Sequence, residues 1–186
     1  MAEWVTAIGT IGTFLVIAAS AAAALVQLRH MRASNQIAAL TEFRETMESP
    51  QFQEAQHFVS YELAQRLKDP EGRIQATTLP FTGDYRAIAQ VANMFETLGN
   101  FVRNGVIDSD IACSVVSYIV LRNWDALLPL TTFVRKKLDE PALWENFEYL
   151  ALISQRYNRA RPGGDYPPNL PRMPEDNSLL EMPPAP

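Results

Sequence analysis

The stretch "NMFETLGNFVRNGVIDSD", residues 93–110, contains a helix end, a turn and a second helix start. Gly105 follows a run of apolar residues at helical spacing, where a left-handed glycine commonly ends a helix. Asp108 or Ser109 can cap the helix that follows, and Asp110 suits its first turn. The stretch therefore predicts a helical hairpin.

Apolar periodicity extends this hairpin in both directions. Asp84 is the candidate cap of the first helix. Pro129 is expected to kink or interrupt the second helix, after which "TTFVRKKL" forms a short turn. The residues that the first helix should bury are Ile88, Val91, Ala92, Phe95, Leu98 and Val102. The residues that the second helix should bury are Ile111, Val115, Ile119 and Trp124.

Three further segments complete an all-α architecture, because no strand pattern occurs in the sequence. Ser49–Pro50 should start a helix that runs to about Leu67. Residues 69–83 are expected to form a loop on the bundle. Its expected contacts with the bundle are Leu79 and Phe81. Pro141 should open the last helix. The residues expected on one face of that helix are Leu143, Phe147, Leu150 and Ser154.

The N-terminal segment 4–28 contains 25 residues without a charged side chain. About 20 such residues suffice for a helix that spans a membrane. A cleaved signal peptide is the alternative, since "AASAAAA" offers small residues, but Glu3 replaces the basic residues that such a peptide carries. We expect an uncleaved anchor. Arg29 and Arg32 then predict an external N-terminus and a cytoplasmic remainder.

One side of this segment has small or weakly polar residues at three- and four-residue spacing. Small residues let membrane helices approach closely, although alanine-rich spans are common and no GxxxG occurs here. Self-association through this stripe is therefore a hypothesis. Its candidate residues are Gly9, Thr13, Ser20 and Ala24, flanked by Val16 and Gln27.

The predicted domains are an anchor (1–28), a stalk helix (29–49), a helical bundle (50–161) and a disordered, acidic, Pro-rich tail (162–186). The stalk should present one apolar flank to the bundle. The tail contains 8 of the 13 prolines, a composition typical of extended chain. The expected residues of the stalk flank are Ile37, Leu40, Phe43 and Met47.

Charge and side-chain chemistry exclude several classes of function. The net charge is −5, and residues 29–161 hold 15 basic against 16 acidic side chains, so we expect no nucleic acid partner. Asp108 and Asp110 do not form a calcium loop, because Ala112 and Cys113 occupy its fifth and sixth positions. Cys113 lies in an apolar helical pattern, which favours core packing. His30 and His57 are too isolated for a metal motif, so no metal, cofactor or catalytic residue is expected.

Glu96 is the unusual carboxylate, because it lies at the edge of an apolar helical stripe and an ionised group there needs a partner. Arg122, on the neighbouring helix, is the preferred partner, and Arg103 on the same helix is the alternative. The pair Glu96 and Arg122 is predicted either to fasten two helices or to line a pocket; nothing nucleophilic converges on it.

Two segments, "NMFETLGNFVRNGVIDSDI" and "LRNWDALLPLTTFVRKKLDEPALWENFEYL", together with the N-terminal span, resemble an uncharacterised bacterial family. Its members are single-pass membrane proteins with an all-helical cytosolic domain of unknown function. The resemblance covers about residues 4–157 and implies a bacterial inner-membrane location but no activity. The positions that carry it are Phe95, Glu96, Gly105–Asp108, Trp124 and Arg135.

The sequence thus favours a membrane-anchored interaction or scaffold protein without catalytic activity, whose partners are the bilayer and either a second copy or an unidentified protein. The alternative is a regulator that responds to a small ligand or lipid, with a pocket between helices near Glu96, Trp124 and Trp144. An open polar cavity containing Glu96 and Arg122 would favour the regulator.

Overall fold

The computed structural model describes the backbone of residues 2–78 and 80–176, and the side chains of these residues except 2–11 and Asp84. The described residues form helices joined by turns and irregular segments and include no strand, which confirms the all-α prediction. A π-helical turn, Phe58–Glu62, and a 3-10 turn, Gly83–Tyr85, separate some of the helices. The helices are α1 (Ala2–Glu48), α2 (Pro50–His57), α3 (Leu63–Arg66), α4 (Pro70–Gln75), α5 (Arg86–Arg103), α6 (Ser109–Leu138) and α7 (Glu145–Ala160).

Helix α1 is continuous through the predicted anchor and stalk. Its side chains from residue 12 to residue 35 are exposed. The last turns pack against the bundle through Leu40, Phe43 and Met47, as predicted. Ile37 was expected on the same flank, but it is 67% exposed, and Ala39 packs in its place. The end of α1 is thus fixed to the bundle.

The chain turns at Ser49, whose hydroxyl caps α2 by accepting the backbone N–H of Phe52. The predicted helix to Leu67 is present as α2, the π turn and α3 in succession. A π turn accommodates one residue more than an α turn. Both Phe58 and Val59 are therefore buried.

Residues 69–83 are not wholly a loop, which corrects the prediction. Pro70 opens the short helix α4, since a proline is well suited to a first helical turn. The Arg73 guanidinium stabilises the preceding turn by donating to the carbonyls of Leu67 and Lys68, each at 2.9 Å. Phe81 packs on the bundle as expected; Leu79 and the Asp84 side chain lie outside the described residues.

The apolar stripe predicted for α5 is buried in full. Phe95 lies at its centre, with ring centroids 6.1 Å from Phe43, 6.4 Å from Phe52 and 5.0 Å from Phe147. These three rings belong to α1, α2 and α7. Phe95 therefore joins the stalk to the bundle core.

The hairpin between α5 and α6 forms as predicted. Gly105 has a φ of 69°, a conformation that costs glycine little. The Asp108 carboxylate caps α6 by accepting the backbone N–H groups of Asp110, at 2.9 Å, and Ile111, at 3.0 Å. The capping residue is thus Asp108 and not Ser109.

The predicted inner face of α6 is wrong by one residue. Ile111 and Val115 are 46% and 66% exposed, and Ile119 is half-buried, whereas Trp124 is buried as expected. One residue corresponds to about 100° around a helix, so the buried face is the adjacent one. Its residues are Ala112, Cys113, Val116, Val120, Asn123, Trp124 and Leu127.

Pro129 does not interrupt α6, which runs for 30 residues across it. A proline removes the hydrogen bond to the carbonyl four residues earlier, here that of Asp125. Both Pro129 and Asp125 are exposed, so water can satisfy that carbonyl. The segment predicted as a separate turn, 131–138, is the end of α6.

The last helix begins at Glu145, four residues later than predicted from Pro141. Trp144 stops the helix from starting earlier, because its φ of 56° is left-handed. Phe147, Leu150 and Ser154 are buried on one face as predicted. Residues 162–176 are exposed and contain no helix or strand, while residues 177–186 lie outside the described residues. Disorder of the tail stays a prediction, as do the domain boundaries.

Candidate functional site

Glu96 on α5 is hydrogen-bonded to the start of α7. Its Oε2 accepts the backbone N–H of Phe147 at 2.8 Å, and its Oε1 accepts the side-chain amide of Asn146 at 2.7 Å. Phe147 is the third residue of α7, and its N–H is one of the four that a helix start leaves without an internal partner. Glu96 therefore caps a helix from a different part of the chain, where a negative charge also opposes the helix dipole.

Two other α5 residues contact the same helix start. The Asn93 side-chain oxygen accepts the indole N–H of Trp144 at 3.0 Å. Arg103 Nη1 donates to Asn146 and to Glu145, each at 3.1 Å. We call this set the α5–α7 junction; its members are Asn93, Glu96, Gly99 and Arg103 of α5 and residues 144–147.

Gly99 permits the close approach of the two helices at this junction. A Cβ atom at Gly99 would lie 2.0 Å from the carbonyl oxygen of Asn146 and 2.6 Å from its carbonyl carbon. Backbone atoms cannot yield as a flexible side chain can, so any other residue would push α7 away. The hydrogen bonds of Glu96 depend on that short distance.

Arg135 holds the other side of the turn before α7. Its Nε donates to the carbonyl of Leu143 at 2.8 Å, and its Nη1 donates to Glu148 at 2.6 Å. The Arg135 Nη2 atom is buried and has no hydrogen-bond partner within the described structure. The left-handed Trp144, with its ring stacked on Phe81, is therefore held from both α5 and α6.

Arg122 is not the partner of Glu96, which corrects the preferred sequence prediction. Its Nη2 donates to the hydroxyl of Tyr61, and its guanidinium lies 5.2 Å from the centroid of the same ring. The hydrogen bond with Tyr61 raises the pKa of Arg122 above its ordinary value. Arg103 was the alternative partner. Both Arg103 and Glu96 are hydrogen-bonded to the Asn146 side chain, so Arg103 belongs to the junction. The described structure shows no ion pair between Arg103 and Glu96.

Glu96 and Arg122 also do not line a common cavity among the grooves identified on the described surface. One of these grooves, of about 420 Å³, lies between α1 and α5 and is lined by residues including Phe43, Leu98 and Phe101. A second, of about 290 Å³, contains Arg122 and Tyr61. Glu96 lines neither of these two grooves.

The remaining candidate groups are isolated from one another. Cys113 is buried, with its Sγ 3.9 Å from the Ser154 hydroxyl, and burial raises the pKa of its thiol. His57 lies 3.5 Å from a Glu62 oxygen, and His30 lies on the exposed part of α1. Among the described residues, no three histidine, cysteine or acidic side chains are placed to hold a metal ion.

Two described helices are long and apolar enough to cross a membrane, judged by length and composition. One is Gly12–Glu48 of α1, whose apolar window has a mean hydropathy of 1.6 and is not buried. The other is α6, of whose window 39% is buried, as expected for a core helix of the bundle. In the predicted stripe, Ser20 and Ala24 are exposed. Gly9 lies outside the residues whose exposure is described.

Sequence reasoning identified Glu96 and missed both of its partners, Asn146 and Phe147. A glutamate followed at helical spacing by a glycine and an arginine, with an asparagine before it, marks one face of α5. That face could have been recognised as a polar strip. Its partner, the start of α7, could not be identified from spacing along the chain.

Comparison with known proteins identifies a family of unknown function. The model of a family described as a domain of unknown function, DUF4760, matches residues 14–154, more than half of the chain. This range includes the whole α5–α7 junction and all of the exposed part of α1 from residue 14. No curated protein and no solved structure matches the chain.

Proposed function

The chain belongs to this family, DUF4760, and we propose that it is a membrane-anchored helical interaction module. One N-terminal span holds the bundle at the membrane surface, where the bundle binds a protein partner. The single observation that carries the proposal is the construction of α1. This helix is exposed and apolar from residue 12 to residue 28, and it is packed into the bundle at its end.

A continuous helix supports the anchoring role better than a flexible tether would. Residues 29–39 continue the helix from the apolar segment to the first residue packed on the core. At 1.5 Å per residue, this segment is about 16 Å long. The contact of Phe43 with Phe95 then fixes the bundle relative to the anchor.

An exposed apolar strip on α6 supports the interaction role. Ile111, Val115 and Tyr118 occupy one face at helical spacing and are 46%, 66% and 74% exposed. Exposed apolar side chains that lie together commonly mark a binding surface. We propose this α6 strip as the surface that binds a protein partner, either a second copy or another protein.

The orientation and the compartment are part of the proposal. Arg29 and Arg32 follow the apolar segment, and the positive-inside rule assigns the basic end of a span to the cytoplasm. We propose a bacterial inner membrane, an external N-terminus and a cytoplasmic bundle. A reporter enzyme that is active only in the periplasm, fused after Pro186, should be inactive. An active reporter would reverse the orientation.

Membrane extraction tests the anchor. Val16→Arg combined with Ser20→Arg places two charges near the centre of residues 4–28, at a cost of about 5–7 kcal/mol for membrane insertion. The protein should then leave the membrane fraction under alkaline carbonate. His30→Arg combined with Ser34→Arg is the matched control and should stay in it. Release of the wild-type chain by carbonate would contradict the anchor.

Site-specific photo-crosslinking tests the α6 strip. A photoreactive residue at Val115 should give an adduct in intact cells, and its mass separates a second copy from another protein. Lys136, exposed near the other end of α6, is the control position. Equal labelling from both positions, or no adduct at Val115, would remove the support for this surface.

The proposal assigns no catalytic activity and no cofactor to the chain. In the described structure, the polar groups of the α5–α7 junction are hydrogen-bonded to the backbone and side chains of a helix start. They are thus occupied in holding the bundle together, which supports a structural role for these residues.

A further inference from the structure

The groove that contains Arg122 combines an unusual backbone with a cluster of polar side chains. It lies between the π turn Phe58–Glu62 and α6, and its volume is about 290 Å³. Single π turns within helices occur frequently at functional sites. Here the π turn contributes Ser60 and Tyr61 to the lining, while α6 contributes Tyr118, Ile119 and Arg122.

The guanidinium at this groove is held in position. Its Nη2 donates to the Tyr61 hydroxyl, and its guanidinium carbon lies 5.2 Å from the centroid of the Tyr61 ring. A guanidinium has five N–H donors, so this hydrogen bond uses only one of them. A fixed, planar group with spare donors is suited to bidentate recognition of an oxyanion.

The charge around Arg122 also favours an anion. No carboxylate of the described side chains forms an ion pair with Arg122, whereas Arg44, Arg103, Arg135 and Arg161 each have at least one. His57, a second group that can carry positive charge, lines the same groove. The nearest negative partner of His57, Glu62 at 3.5 Å, lines the neighbouring groove instead.

Neutral donors line the rest of the groove. The Ser60 hydroxyl oxygen is buried and has no hydrogen-bond partner in the described structure. A buried hydroxyl without a partner is costly, and a ligand atom would relieve that cost. Gln53 and Gln56 lie five and two residues before the π turn, and their side-chain amides supply further N–H donors.

We propose that this groove binds a small oxyanion, a phosphate or carboxylate group, through the guanidinium of Arg122 with Ser60 and the glutamine amides as neutral donors. The same chemistry can come from a soluble metabolite or from the headgroup of an anionic lipid. A bundle that is anchored at the membrane surface is in contact with both soluble metabolites and lipid headgroups. The binding site is therefore at Arg122 and Tyr61, and not at Glu96.

Calorimetric titration of inorganic phosphate into the full-length chain in neutral detergent, at constant ionic strength, tests this site. The wild-type chain should bind phosphate, and Arg122→Gln should weaken binding by about tenfold or more. Arg122→Lys keeps the charge without the fork and should give an intermediate affinity. Thermal unfolding of each variant verifies that it is folded.

Lys136→Gln is the matched control, because it removes one exposed positive charge from the same helix outside the groove. It should bind phosphate as the wild-type chain does. Absence of phosphate binding, or equal affinities of the wild-type chain and Arg122→Gln, would overturn the proposal.

Nanodiscs distinguish the two sources of the oxyanion. Phosphate binding by the wild-type chain that is weaker in anionic-lipid nanodiscs than in zwitterionic ones, at an ionic strength high enough to screen repulsion by the bilayer, would assign the groove to a lipid headgroup. Equal binding in both nanodiscs would assign it to a soluble anion. Each result supports the oxyanion site.

Discussion

Glu96 on α5 accepts the backbone N–H of Phe147 on α7 over 2.8 Å, across 51 positions of sequence. A carboxylate that caps a distant helix both satisfies a backbone donor and opposes the helix dipole. The residue before Glu96 packs on the same partner, because the rings of Phe95 and Phe147 are stacked with centroids 5.0 Å apart. The polar and the apolar contacts thus fasten the same pair of helices.

Glu96→Gln should destabilise the fold by about 1–3 kcal/mol, because hydrogen bonds to a charged acceptor are worth more than those to a neutral one. Chemical denaturation of the full-length chain in detergent, followed by circular dichroism, measures the free energy of unfolding. Glu54→Gln, an exposed glutamate on α2, is the control and should change little. An unchanged unfolding transition for Glu96→Gln would show that the cap has no role in stability.

The double variant Glu96→Gln with Arg122→Gln distinguishes this contact from the ion pair expected from sequence. The two groups have separate partners, α7 and Tyr61, so their effects on the free energy of unfolding should add. The same denaturation experiment on both single variants and the double variant gives the coupling. A double variant that loses clearly less stability than the sum of the two single losses would restore the pair.

Gly99→Ala should destabilise the fold by about 1–3 kcal/mol, since its Cβ would overlap the carbonyl of Asn146 at 2.0 Å and push the helices apart. Thermal unfolding measures the loss. Gly163→Ala is the matched control, because a Cβ there meets no atom within 4 Å. Equal melting temperatures for these two variants would mean that α5 and α7 are not in close contact.

Asp108→Ala should cost about 0.5–2 kcal/mol, the usual effect of losing a helix N-cap. The carboxylate accepts two backbone N–H groups at the start of α6. Ser109→Ala, one residue later, should change the free energy of unfolding much less. If the serine variant were the more damaging one, the cap would have been assigned to the wrong residue.

Cys113 should make stability depend on pH in the alkaline range. Burial raises the pKa of its thiol above the ordinary 9.0, so the folded state favours the neutral thiol. That contribution is complete below about pH 9 and is lost as the pH rises through the folded pKa. The stability difference between wild type and Cys113→Ala should therefore be constant below about pH 9 and shift against wild type above it. A constant difference at all pH values would contradict the shifted pKa.

Local sequence signals were sufficient wherever the physical cause was itself local. The apolar stripe of α5, the left-handed Gly105 and the cap of α6 each depend on residues within a few positions of one another. Pro70 and Pro129 show the limit of such rules. The first opens a helix within an expected loop. The second lies inside a helix, where the carbonyl that it leaves without a partner belongs to the exposed residue Asp125.

The sequence by itself determined that the chain is helical, that its first segment is apolar and uncharged, and that Glu96 needs a partner. The tertiary structure alone decided that this partner is the start of α7, and that Arg122 pairs with Tyr61. The inner face of α6 was decided in the same way, because burial depends on the helices that pack around it. Contacts between residues far apart in the chain follow from packing, and periodicity along one helix does not contain that information.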